Sequence, residues 1–237
     1  MNEEHIHSAY DRDLEELQTL IIKMGGLVEA AILNAGEALA RRDIELADNV
    51  RAGDKMIDGL EMQINEEAAR IIALRAPVSK DLRSILTTLR IAASLERVGD
   101  YSKNIAKRTS TLVDIPPIMG ADTALRRMSR EVQAMLKDVL DAYLRRDAVL
   151  AEDVRQRDLE VDQMYNALFR EFLTFMMEDP RNITACMHLH FMAKNVERMG
   201  DLVTNMAEQV IYLTTGEMPD DARPKDDQTA FVSTPEQ

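Results

Sequence analysis

The chain has no tryptophan, five tyrosines, five phenylalanines, nine glycines and seven prolines in 237 residues. Sheets draw on aromatic and β-branched side chains, with glycine and proline at their turns. This composition, rich in Ala, Leu, Met and Glu, therefore favours an all-α protein. A single cysteine, Cys186, leaves no internal disulfide. No Lys/Arg block interrupts a formal net charge of −13, so long-range attraction to nucleic acid or to an anionic membrane is not expected, and a basic partner or cations fit better. No basic-then-apolar leader opens the sequence, and no run approaches the roughly 20 apolar residues of a membrane span. Those absences predict a soluble, cytoplasmic protein without direct membrane insertion. Phosphate-cradling and dinucleotide glycine patterns and a serine nucleophile elbow are also missing.

What is present is helical periodicity. Leu14, Leu17, Ile21, Met24, Val28, Ile32, Ala35 and Leu39 follow steps of three and four, predicting a first helix over about 10–41. Its Gly25-Gly26 pair marks a bend or, on the favoured reading, a close helix crossing. A second helix carries Leu46, Val50, Ile57, Ile64, Ala68 and Ile71 on its inner stripe and ends before Pro77. Ser79 is the expected N-cap of a third, over about 80–112. The turn formers Asp114 to Gly120 break the chain, after which three more helices are expected over about 122–145, 147–177 and 182–214. At about 1.5 Å per residue these lengths suit bundles. The expected organisation is a first three-helix bundle (1–114), a linker (115–121), a second three-helix bundle (122–215) and a flexible acidic tail (216–237), which from Glu217 holds six acidic and two basic residues.

The two halves are copies of one unit. Glu96-Arg97-Val98-Gly99-Asp100 with Asn104 and Ala106 returns as Glu197-Arg198-Met199-Gly200-Asp201 with Asn205 and Ala207. Arg41-Arg42-Asp43 returns as Arg145-Arg146-Asp147, and Asp54 and Asp58 return as Asp158 and Asp162. The second-helix motifs are displaced by 104 residues and the signature by 101, which predicts a three-residue difference at the turn between the second and third helices.

Residues four apart share a helix face, so Glu96, Asp100 and Asn104 form an oxygen-bearing ladder, as do Glu197, Asp201 and Asn205. Asp54 interrupts the second helix's stripe between Val50 and Ile57, and Asp158 does the same between Val154 and Val161. In each half, then, an inward acid on the second helix is placed to meet acids on the third. Carboxylates that meet in a partly buried place repel one another and resist desolvation, so something neutralises them. Three agents qualify: the adjacent Arg97 and Arg198, protons, or a divalent cation. Oxygen donors without thiolate or imidazole suit Mg, Mn, Ca or Fe better than a structural zinc site. Gly99 and Gly200, between the paired acids, permit close helix approach or expose backbone to a ligand. His188 and His190 are two apart and face different ways, so they do not form a shared metal pair. A di-iron bundle would want two Glu-x-x-His pairs, and the only such spacing is Glu4 with His7.

The residues that recur, with Met24-Gly25-Gly26-Leu27-Val28-Glu29, Gly53-Asp54-Lys55, Ser79-Lys80-Asp81-Leu82-Arg83 and the twin Glu-Arg-x-Gly-Asp signatures, resemble the PhoU family of phosphate-specific transport. The resemblance spans Tyr10 to about Glu217. It implies two tandem three-helix bundles and a non-enzymatic negative regulator of phosphate uptake and of the phosphate-starvation response. The implied partners are the nucleotide-binding subunit of a phosphate ABC transporter, the PhoR sensor histidine kinase and further copies of the chain, as a homodimer or larger oligomer. It further implies metal binding through Glu/Asp-x-x-x-Asp motifs, matched by Glu96 with Asp100 and Glu197 with Asp201. Asp54 with Asp58 and Asp158 with Asp162 fit the same spacing, Asn104 and Asn205 are further oxygen donors, and Fe, Mn, Mg or Zn are the candidate ions. The competing expectations are a metal-dependent helical-bundle enzyme and a purely structural helical scaffold.

Overall fold

The computed structural model describes the backbone of residues 2–219 and the side chains of residues 10–219. Most of the expected tail lies outside these residues. Six long helices run in order: α1 (Asn2–Arg41), α2 (Ile44–Arg75), α3 (Ser79–Leu112), α4 (Ala121–Arg145), α5 (Ala148–Glu178) and α6 (Ile183–Thr215). A single 3-10 turn, Pro180–Asn182, joins α5 to α6. α1 starts at Asn2, so His5 and His7 lie within the helix and not ahead of it.

The repeated Arg-Arg-Asp is a helix reversal. Arg42 and Arg146 take left-handed backbone with φ of 55° and 52°, and the next amide closes the ended helix by donating to Ala38 O or Ala142 O at 2.9 Å. The aspartate then caps the following helix: Asp43 accepts from Leu46 N, and Asp147 from Val149 N and Leu150 N. Each such cap is worth about 1 kcal/mol. Ser79 does not cap α3. It is already in the helix, at φ 50°, and the residue at the cap position, Val78, makes no side-chain bond. The three-residue difference between the halves does not lie in the turn itself, because α6 reaches its signature about one helical turn sooner after its start than α3 does.

Helices α1, α2 and α3 pack on one another, as do α4, α5 and α6, and the halves join where α1 meets α4 and α3 meets α6. The apolar stripes all point into one continuous core: Leu17, Ile21, Met24, Val28, Ile32 and Ala35 of α1 are buried together with Met128, Val132, Met135 and Val139 of α4. Gly25 lies in the α1–α4 crossing, where a Cβ would run into the Leu140 side chain, whereas Gly26 faces open space. A further tie between the halves is the buried contact of Tyr143 Oη in α4 with Thr88 Oγ1 in α3, at 2.7 Å.

The stretch Tyr10–Arg41 is long and apolar enough, by length and composition, to cross a membrane. In the structure its apolar stripe packs against the other helices in the shared core.

Candidate functional site

In the first half, Asp54 is 4% exposed on α2 and faces α3. Its Oδ2 accepts from Lys103 Nζ at 2.5 Å, and the same ammonium stands 3.4 Å from Asp100 Oδ1. Asp54 Oδ1 is buried without a hydrogen-bond partner. It lies 3.8 Å from where a Cβ on Gly99 would sit, and Ile57 methyls lie 3.0 and 3.3 Å from that point. At Gly99, therefore, α2 side chains pack closely against the α3 backbone, beside the acid. Asp58 and Glu61 continue the α2 face, one step outward, opposite Glu96. Burial, and then the charges of Asp100, Glu61 and Asp58, push the Glu96 carboxyl above the usual range. Desolvation and the charge of Asp54 do the same to Asp58. The hydrogen bond to Asp54 raises the Lys103 ammonium.

The second half repeats the backbone but not the chemistry. Asp158, Asp162 and Glu197 are all buried, at 2%, 3% and 5% exposure, whereas Asp58 is exposed. Gly200 again faces the α5 acid: a Cβ there would lie 3.2 Å from Asp158 Oδ1 and 3.3 Å from Val161 Cγ1. The lysine comes from the other end of the ladder. Lys194 Nζ donates to Glu197 Oε1 at 2.9 Å and sits 4.8 Å over the ring of buried Tyr165. Tyr165 occupies the position of Glu61, Thr204 that of Lys103, and Lys194 that of Ala93. Buried Arg155 extends the paired face, bonding Glu152 at 2.7 Å and reaching Glu208 of α6 at 3.6 Å.

The structure thus brings Asp54, Asp58, Glu96 and Asp100 to one α2–α3 face, and Asp158, Asp162, Glu197 and Asp201 to the corresponding α5–α6 face. Asn104 and Asn205 are exposed. Arg97 and Arg198, the sequence's candidate counter-ions, are exposed too; Lys103 and Lys194 pair with the acids instead. Sequence reasoning missed both lysines and Glu61. Their spacing was a usable signal, since Lys103 follows Asp100 by three, Lys194 precedes Glu197 by three and Glu61 follows Asp58 by three, each a same-face step. His188 and His190 have different surroundings, the first 3.3 Å from Arg108 and the second stacked near Tyr165. Among the described residues, no three Asp, Glu, His or Cys side chains converge as a finished ligand set.

The raised Glu96 carboxyl makes a pH prediction. A carboxyl whose folded pKa exceeds its unfolded value destabilises the fold while ionised. Stability is therefore regained as pH falls through the raised folded value toward the ordinary value near 4. Glu96→Gln removes the repulsion and, with a chelator present, is expected to stabilise the protein at pH 7 by roughly 0.5 kcal/mol. The advantage over wild type shrinks by pH 4. Urea denaturation of both proteins at several pH values checks this, and the difference cancels the opposite trend from Asp13, whose hydrogen bond to Arg70 holds its carboxyl low.

Two tandem three-helix bundles, fused through one core and each carrying an acidic face between its second and third helices, define a duplicated helical-bundle protein with no sheet among the described residues. The PhoU domain model matches twice, over residues 21–109 and 125–210. The chain belongs to the PhoU family. It is 46% identical over 234 residues, 99% of both chains, to a protein of Rhizobium meliloti (strain 1021) named phosphate-specific transport system accessory protein PhoU homolog. A Caulobacter vibrioides protein of the same name is 47% identical over 94% of this chain and 96% of its own. The crystal structure of PhoU from Pseudomonas aeruginosa superposes with a TM-score of 0.85 at 38% identity, covering 88% of this chain and all of that one. The phosphate transport system regulatory protein PhoU from Streptococcus pneumoniae gives 0.82 at 31%, covering 89% and 99%.

Proposed function

We propose that this protein is an accessory component of phosphate-specific transport, a non-enzymatic negative regulator of phosphate uptake and of the phosphate-starvation response. The observation that carries the reading is full-length similarity to accessory proteins of that system, together with two signatures in register. In this reading it is a cytoplasmic adaptor, a homodimer or larger oligomer, between the nucleotide-binding subunit of the phosphate ABC transporter and the PhoR sensor kinase.

The acidic faces are read as cation sites, for Fe, Mn, Mg or Zn. A hard divalent ion fits the first cluster on two grounds. Its donors are carboxylate oxygens, and it holds a buried Asp54 oxygen without a hydrogen-bond partner beside carboxyls that repel one another. Asp54, Asp58, Glu96 and Asp100 would hold the ion in the first half, and Asp158, Asp162, Glu197 and Asp201 in the second. A bound cation supplies the positive charge that lets α2 and α3, or α5 and α6, bring their acids together.

The test has two arms. In a deletion strain, a phosphate-regulated reporter is expected to stay on in high phosphate and to be silenced again by the wild-type gene. Unchanged expression and uptake would remove the regulatory reading. Elemental analysis of purified protein is expected to find divalent metal that falls on combining Glu96→Ala with Asp100→Ala and Glu197→Ala with Asp201→Ala. Metal content at background in the wild type would remove the cation reading.

A further inference from the structure

A row of arginines without carboxylate partners runs along the seam between α3 and α6. Arg90 Nη1 donates to Gln209 Oε1 at 3.0 Å, and the Arg108 guanidinium lies 4.6 Å from the centre of the Phe191 ring. Arg90 and Arg108 are 18 residues apart, as are Phe191 and Gln209. That spacing is five full helical turns, so both contacts fall on one straight seam between antiparallel helices. At about 100° per residue, Arg83 and Arg97 lie within about 20° of the same line on α3, and Arg198 within about 20° of it on α6. No Asp or Glu of either helix comes within about 40° of those lines. None of the five arginines enters an ion pair among the described residues. Arg90, Arg97 and Arg198 are exposed, as are Met187 and Phe191 at the far end of the seam. In a chain of net charge −13, this is a surface that attracts anions.

The chain itself enters the seam. Gly216 ends α6 in left-handed backbone, φ 90°, against the Arg83 guanidinium, which also lies 5.1 Å over the Tyr212 ring. Met218 Sδ then accepts from Gln209 Nε2 at 3.9 Å, on the same side chain that holds Arg90. By Met218 the backbone has reversed and is heading back along α6. Residues 220–237, outside the described residues, hold five acidic and two basic residues, with Asp220, Asp221, Asp226 and Asp227 ahead of Phe231-Val232. Pro219 and Phe231 are 12 residues apart, a reach of up to roughly 40 Å. The helix from Gln209 back to Phe191 is about 27 Å long. Length and order both match: acids for the arginines first, then an apolar pair for Phe191 and Met187.

We infer that residues 220–237 dock in cis along the α3–α6 arginine seam as an acidic strap, which any other anionic partner of that surface has to displace. Each exposed ion pair is weak and screened by salt. The strap holds because its tether keeps it at an effective concentration of about millimolar.

The test is limited trypsin digestion of the full-length protein, read by mass spectrometry. Lys225 is the cleavable tail site, since Arg223 precedes Pro224. At about 0.02 M salt, cleavage at Lys225 is expected to be about tenfold slower than in a free peptide of residues 217–237, and to approach the peptide's rate at about 0.5 M. Arg90→Glu with Arg97→Glu should cleave like the peptide even at low salt. Arg90→Gln with Arg97→Gln provides the same comparison if the glutamates prevent folding. Arg127→Glu with Arg130→Glu, exposed on α4, should keep the protection. A nitroxide on Thr229→Cys, with Cys186 buried, should show slowed motion that the Arg90, Arg97 variants lose.

Peptide-like cleavage or a fully mobile nitroxide in the protein with both arginines, at low salt, overturns the strap. Protection that survives in both arginine-pair variants overturns the seam as its seat. Protection that is independent of protein concentration supports docking in cis, whereas protection that rises with concentration puts the tail on a second copy and overturns it.

Discussion

Tyr143→Ala is expected to destabilise the protein by about 4 kcal/mol, the range for emptying a large aromatic site in a close-packed core. Tyr143 is 1% exposed on α4, and its hydroxyl meets Thr88 Oγ1 of α3 at 2.7 Å. Burial pushes its phenol upward, with the Thr88 contact opposing. Thr88 already donates to Ser84 O, so the tyrosine is the donor in their contact. Tyr143→Phe should therefore cost only about 1 kcal/mol, one net hydrogen bond with the ring still filling its site. The pair of variants separates packing from bonding at the junction of the halves. Because the halves share one core, unfolding by guanidinium should remain a single transition, shifted as a whole. A loss below about 1.5 kcal/mol for the alanine variant would mean that α3 and α4 close over the site, contrary to the packing argument.

Gly200→Val is expected to cost about 3 kcal/mol, lowering the thermal midpoint by roughly 6–12 °C for a chain of this size. The first added carbon would lie 3.2 Å from Asp158 Oδ1 and 3.3 Å from Val161 Cγ1. One neighbour is a buried carboxylate oxygen and the other a β-branched side chain with little rotamer freedom, so neither yields cheaply. Gly99 makes a useful comparison. There a Cβ would meet Ile57 Cδ1 at 3.0 Å and Cγ2 at 3.3 Å, with the Asp54 oxygen farther off at 3.8 Å. The nearer contact, Ile57 Cδ1, can turn aside about its outer torsion, so only the Cγ2 methyl must give by a few tenths of an ångström, and alanine is up to about 1 kcal/mol better than glycine within a helix. Gly99→Ala should therefore be close to neutral while Gly200→Ala loses about 1 kcal/mol or more. Equal costs in the two halves, measured by thermal and urea unfolding, would contradict the difference in their packing.

Much of this was legible along the chain. The stripes of α1 and α2 could be read as steps of three and four, and those residues are the ones in the core. The recurring Arg-Arg-Asp marked both reversals, although nothing in arginine predicts left-handed backbone. That conformation is imposed by the need to close one helix and start another within two residues. The acids at Asp54 and Asp158 were visible as polar breaks in an apolar stripe and do face the neighbouring helix. Arg97 and Arg198 misled because adjacency in sequence is not adjacency on a helix: consecutive residues point about 100° apart, which put both outside. Lys103 and Lys194 stand three residues from the acids, but lysine at helical spacing is common on solvated faces, and only the fold shows which ones meet a buried acid.

What the sequence by itself determined was local and periodic: an all-helical chain, six helices in two copies, and the face of each helix that carries its acids. Those properties depend on residue type and on the 3.6-residue turn, both of which are present in the string. Tertiary structure alone decided that α1 meets α4 and α3 meets α6 across a single core, and that Lys103 pairs with the first acidic face while Lys194, packed over Tyr165, pairs with the second. Such pairings depend on which side chains from distant segments share space. Burial and charge balance are properties of that shared space, and no spacing within one helix encodes them.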